Sequence, residues 1–378
     1  MNEKKLKYFF PYKLEKENDF RTHFKNRDEF LDKMWGKNEY YYKDEANYGV
    51  RRNRDNLSLI EQSKNDYIVD EFFNWERWYK AGRNIFSFSI ELLEMLNHTD
   101  VNDINYKSFN LPYDNFYISL KPLGLKASIE SDVIIEGVYV EIDRDTMSNE
   151  PEDGDVVADY AIHFHFVGDF EEFILKFHDK VWNYKGSGGE SFWDYAFYFD
   201  ETKHVITILD AITDWKDVYS YSLFPEKPIE VTDSYLDIFN LYQKFVDNTC
   251  MILVNCLLYL SMPPENRDVI SSYAEDLPFN FNKKLRFAKN KGEISKIEKK
   301  ISTTGYSKIQ YVGNSYIKIQ NNDNSSISKV LPHWRRGHWR NQRYGESLIN
   351  TKLIWIKPVI VNNAIGKPEK GHIYEINK

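Results

Sequence analysis

The chain has 378 residues, a formal net charge of −8 and 42% apolar residues, which fits a folded soluble protein with room for two domains, or for one large domain and a smaller appendage. Residues 283–378 carry 20 Lys and Arg against 6 Asp and Glu, a balance of +14 that leaves −22 for residues 1–282. An acidic body with a basic tail points to a polyanion surface on the tail, or to docking of one part on the other. Met1 is followed by Asn2-Glu3-Lys4-Lys5, which is no secretory leader, and the longest apolar run, Cys250 to Leu260, is interrupted by Asn255 and too short to span a bilayer. These features exclude a membrane partner and lead us to expect a cytoplasmic protein. Cys250 and Cys256, the only cysteines, lie six apart on a predicted helix and are expected to be buried thiols. Aromatic residues make up 16% of the chain, with 27 Tyr and 25 Phe, and suit either an aromatic core or an extensive contact surface.

In chain order, a weak helical pattern runs through Phe20, Phe24, Phe30, Leu31 and Met34 and ends near Gly36. Arg51-Arg52-Asn53-Arg54 reads as a solvated approach to the next helix. Apolar positions from Leu59 to Tyr79, and again from Ile85 to Leu96, recur at three and four, predicting two helices separated near Ala81-Gly82. After Pro112 the period becomes two: Phe116, Ile118 and Leu120, then Val133 to Val140, Ile162 to Phe166, Phe192 to Phe199 and His204 to Leu209 predict a mainly antiparallel sheet. Lys185-Gly186-Ser187-Gly188-Gly189 lacks the Lys-Ser/Thr pair and helix start of a phosphate loop and reads as a turn. Eight carboxylates between Glu141 and Asp159 lack the closing Glu of a calcium loop and read as an acidic hairpin loop. His163 and His165 share one strand face and would need a distant third ligand to hold a metal, so two ordinary sheet histidines are the preferred reading. No metal or cofactor is expected.

Asp233 to Met262 is the clearest helix, with Asp233 or Ser234 as its cap and Pro263-Pro264 as its end. A basic stretch opens at Lys283. Strand periodicity returns at Ile309 to Val312 and Tyr316 to Ile319, which are expected to form a hairpin before the polar turn Asn321 to Ser326, with a final strand from Leu353 to Val361. The expected fold is α+β: a mainly antiparallel sheet with packed helices, plus a small basic β-rich carboxy-terminal module. Its parts would be an acidic, aromatic body at 1–264 for target recognition, a basic linker and helix at 265–300, and the basic module at 301–378.

The densest chemistry lies between Leu331 and Arg340, where two His, three Arg and two Trp fall within ten residues. Trp334, Arg335, Arg336, His338, Trp339, Arg340 and Arg343 are the candidate nucleic-acid-binding residues, Arg holding phosphate and Trp stacking bases. If the stretch is extended, Trp334, Arg336, His338 and Arg340 share one face, and His333, Arg335 and Trp339 the other. His338 and His333 are the candidate proton-transfer groups, which Gly337 would bring together by bending the strand. The same residues serve metal-free RNA cleavage, RNA binding or a buried polar network equally well.

Pro332-His333, Arg335-Arg336-Gly337-His338-Trp339, then Trp355 and Pro358 with Val359-Ile360-Val361-Asn362, resembles the carboxy-terminal signature of phage- and plasmid-borne anti-CRISPR proteins that act against the type V-A effector nuclease. Leu111-Pro112 before Phe116-Tyr117-Ile118, and Leu257-Leu258-Tyr259-Leu260 with Pro263-Pro264, are similar to further fragments of that family. Arg340-Asn341-Gln342 departs from the His-rich continuation of its members. The resemblance implies loss of a target mRNA during translation, triggered by recognition of the emerging amino-terminal peptide. The acidic body would then meet the nascent polypeptide or protein target, and the basic module RNA or the ribosome.

Overall fold

The computed structural model describes residues 9–35, 38–44, 47–52, 59–101, 104–126, 133–144, 159–168, 194–202, 204–214, 233–275, 277–316 and 333–361. Three short helices open it, α1 (Phe10–Glu17), α2 (Phe20–Lys25) and α3 (Arg27–Trp35). Pro11 sits in the first turn of α1, where its missing N–H costs nothing. A hairpin of β1 (Asn38–Asp44) and β2 (Asn47–Arg52) follows, so Arg51 and Arg52 end a strand instead of approaching a helix. The long helix α4 (Leu59–Lys80) buries Val69, Phe72, Trp75 and Trp78, whose spacing of three spreads them over one half of the helix surface.

The second predicted helix is in fact a strand and a helix, β3 (Ile85–Phe88) and α5 (Ile90–Asn97). Gly82 at φ +100° and Arg83 at φ +63° end the first helix. Ser89 caps the next, its Oγ accepting the Leu92 N–H at 3.3 Å. The apolar run of β3 is that of a central strand covered on both faces, and over four residues its period cannot be told from a helical one.

The two-residue β4 (Thr99–Asp100) precedes the expected meander of β5 (Asn115–Ser119), β6 (Ile135–Asp143), β7 (Tyr160–Gly168) and β8 (Asp194–Phe199). The strand expected at 204–209 is absent: Val205 and Thr207 form isolated bridges, and the chain is helical from Ile208 to Asp214. A reciprocal capping box starts that helix, Asp210 N–H donating to Thr207 Oγ1 at 3.1 Å and Thr207 N–H to Asp210 Oδ2 at 2.8 Å. Next come α6 (Asp233–Ser261), β9 (Val269–Ser272), α7 (Phe281–Arg286), α8 (Lys291–Thr303), β10 (Ile309–Val312), β11 (His333–Arg335), β12 (Gly337–Tyr344), β13 (Asn350–Ile356) and β14 (Val359–Val361). The single strand expected from Leu353 to Val361 is thus two: Pro358, which has no N–H to give a ladder, separates β13, paired with β12, from β14, paired with β11.

Seven strands form one sheet in the order β8-β7-β6-β5-β3-β10-β9. β3 is parallel to both β5 and β10, and the other pairs are antiparallel. The class is α+β as expected, with a parallel centre that the period alone does not reveal. Alternation divides the sheet's residues between two cores. Ile85, Tyr117, Tyr139 and Ile309 face α1 to α4, while Phe86, Ile118, Val138 and Phe164 face α5 and α6. Cys250 and Cys256 are buried thiols on α6, and burial pushes the Cys256 thiol up.

The Lys185–Gly189 turn, the acidic residues from Asp145 to Asp155, and the strand and turn at 317–326 lie outside the described residues. Among the described residues, no helix is long and apolar enough to cross a membrane.

Candidate nucleic-acid interface at the carboxy-terminal strands

The platform for the signature is the end of α5 with β4. Parallel pairing sets Gly337 beside Thr99 and His338 beside Asp100, and the Gly337 N–H donates to His98 O at 2.9 Å. The approach is so close that a Cβ on Gly337 would lie 2.7 Å from Ile356 O and 2.7 Å from Pro358 Cδ. Only glycine fits there.

Inside this contact a buried relay locks four residues. Trp339 Nε1 donates to Asn255 Oδ1 at 2.6 Å, Asn255 Nδ2 donates to Thr99 O at 2.9 Å, and Trp355 Nε1 donates to Thr99 Oγ1 at 3.1 Å. The Trp339 and Trp355 rings stack at 5.9 Å, and Tyr259 of α6 meets Trp355 edge-on at 5.7 Å. Every polar atom named here has its partner, which is what allows polar groups into an apolar core. Trp339, proposed from sequence as a stacking face, is 6% exposed, so its indole is engaged within the protein and offers no surface to a base.

Outside, the stretch is cationic. The strand breaks at Arg336, so Trp334 lies on β11, paired with β14, while His338 and Arg340 lie on β12, paired with β13. Trp334 is half-buried and stacks on His98 at 4.6 Å; Arg336 Nη1 donates to Asp100 Oδ1 at 2.6 Å. Burial, then the Arg336 charge, hold His98 below the usual histidine range. His333 and Arg335 are exposed on β11, and His338, Arg340 and Arg343 are exposed on β12. Arg340 is held toward Gln342 of the same strand. His333 and His338 stand on different ladders, His333 opposite Val361 and His338 opposite Ile356. The outer surface can attract phosphate; the inner one holds the strands in place.

His163 and His165 share a face as expected, with parallel rings 6.3 Å apart. His165 lies 3.1 Å from Asp194 Oδ2 and 3.7 Å from Glu141 Oε2, and Arg77 Nε is 2.9 Å from the same Glu141 carboxylate. Burial works against the imidazolium, but attraction to Asp194 and Glu141 outweighs it and pushes the histidine up to about 9. Among the described residues no group of three or more metal-type ligands is assembled. Sequence reading found the histidine pair but missed its acidic partners, which come from different strands, and Arg77, which comes from α4.

Three comparisons bear on identity. The model of the AcrVA2-like family, described as anti-CRISPR type V subtype A2, matches residues 86–363, well over half of the chain. The solved structure titled "Crystal structure of AcrVA2" is similar at 16% identity, covering 80% of this chain and 79% of that one, with a TM-score of 0.35. No curated protein matches the chain. The family match runs from β3 through the docked signature strands, and on it the chain belongs to the AcrVA2-like anti-CRISPR family.

Proposed function

We propose that this protein is a mobile-element counter-defence factor of the cytoplasm that lowers expression of one target protein. It does so by recognising the target's nascent amino-terminal peptide and promoting loss of its mRNA. The observation that carries this reading is the family match over residues 86–363. Charge supports the division of labour: the acidic body, with −22 over residues 1–282, suits a basic nascent peptide. Exposed Arg335, His338, Arg340 and Arg343 suit RNA or the ribosome.

The test is a reporter mRNA carrying the first codons of the effector nuclease, followed with and without this protein. Its level should fall only when it is translated in the native frame. Equal loss after a frameshift of those first codons would sink the proposal. Purified protein incubated with bare RNA tests the endoribonuclease alternative, in which His338→Ala would slow cleavage by roughly a hundredfold or more.

A further inference from the structure

The helical hairpin of α7 and α8 carries more exposed cations than the signature does. Between Phe279 and Thr303 the chain carries eight Lys or Arg and two Glu, a balance of +6 in a protein whose total is −8. Both carboxylates are already engaged. Glu293 Oε2 accepts the Lys289 N–H at 2.8 Å, and Glu298 pairs with Lys308 at 2.9 Å. Lys283, Lys284, Arg286, Lys289, Lys296 and Lys299 are exposed and, among the described residues, pair with no carboxylate.

Two aromatic rings stand among these cations: Phe279 is 65% and Phe287 68% exposed. Neither is needed for the hairpin's own core, which is built from Leu277, Phe281 and Ile301 with Leu285 and Ile297 packed against it. Phe279 and Asn280 both sit in the left-handed region, at φ +57° and +56°, a strained conformation at the start of α7. A large apolar ring held in water beside unpaired lysines is costly for a lone protein and useful against a flexible polyanion that carries flat bases.

We propose that the α7–α8 hairpin is a binding surface for single-stranded RNA, its lysines on phosphates and Phe279 and Phe287 stacked on unpaired bases. The choice of RNA rests on the function proposed above; the chemistry of the surface does not. The hairpin presents a dispersed set of cations around two exposed rings, which suits an unpaired strand.

Fluorescence anisotropy of a labelled U-rich RNA oligonucleotide with purified full-length protein, over a series of KCl concentrations, tests this. Replacing Lys283, Lys284, Lys289 and Lys296 together by Gln should weaken binding at least tenfold. It should also flatten the log–log salt slope by about 3, at ~0.7 per phosphate contact on a single strand. Phe279→Ala and Phe287→Ala should each weaken binding by about tenfold while leaving the salt slope unchanged. All of these side chains are exposed, so melting temperatures should match the parent and separate lost binding from lost folding. The proposal is overturned if the fourfold variant keeps the parental slope, if only Arg340→Gln and Arg343→Gln reduce binding, or if polyglutamate or DNA of the same sequence binds more tightly than RNA. The reporter experiment reads mRNA loss with the unaltered protein, so its failure and this one are distinguishable.

Discussion

Trp339 and Asn255 are 84 positions apart and meet in one hydrogen bond of 2.6 Å, in a site where Asn255 is fully buried. Trp339→Phe would preserve the ring stack on Trp355 but remove the donor, leaving Asn255 Oδ1 unpaired at a cost of about 1–3 kcal/mol. Trp339→Ala would add a cavity and raise the loss to roughly 3–5 kcal/mol. Urea midpoints of the two variants check this, and a Trp339→Phe midpoint equal to the parent would remove the relay from the account. Glu71 makes the opposite case. It is 4% exposed, its Oε2 has no partner, and burial pushes its carboxyl well above the usual range. A raised carboxyl contributes stability at low pH that is lost as pH rises, so Glu71→Gln should raise the melting temperature at neutral pH, with little change near pH 4. At this scale the sequence showed Trp339 as an aromatic among arginines and Asn255 as a blemish in an apolar helix. Their roles are decided by a contact that no local pattern encodes.

At the scale of elements, the β12–β13 pair is a lever whose inner end is sealed and whose outer end is cationic. Gly337 is the hinge pin of that seal. Gly337→Ala would push Ile356 O and Pro358 off their positions and lengthen the bond to His98 O, costing about 1–3 kcal/mol. Near-UV circular dichroism should show the loss as a weakened Trp339–Trp355 signal, while far-UV helix content stays constant. The long helices and the antiparallel meander were legible because their periods of 3.6 and 2 run for many residues, as in α6 and in β6 and β7. β3 was not, since four residues, three of them buried, are too few to carry a period. The 204–209 segment read as a strand because Thr207 sits within the alternating run, and its capping partner Asp210, which helps redirect the chain into a helix, follows just after it.

Over the whole molecule, two histidines set opposite limits on stability. His165 is raised to about 9 by Asp194 and Glu141 against burial, with Arg77 and His163 on the same face. Its contribution is complete below the ordinary histidine value of about 6.5 and disappears as pH rises toward 9. His98 is lowered by burial and by Arg336, so its contribution is complete above about 6.5 and is lost as pH falls through its folded value. The loss of melting temperature on the alkaline side should be flattened by His165→Phe; an unchanged alkaline limb in that variant would refute the assignment. The sequence by itself determined the α+β class, the acidic and basic halves, the buried thiols and the family resemblance, because composition and period are properties of neighbouring residues. Only the tertiary structure decided that β10 enters the central sheet beside β3 and that the signature's tryptophan faces inward while its cations face out. It also decided that lysines of α7 and α8 stand exposed without carboxylate partners among the described residues. Those outcomes depend on which distant segments share one core, and burial of apolar rings over hundreds of positions outweighs what any ten-residue stretch prefers.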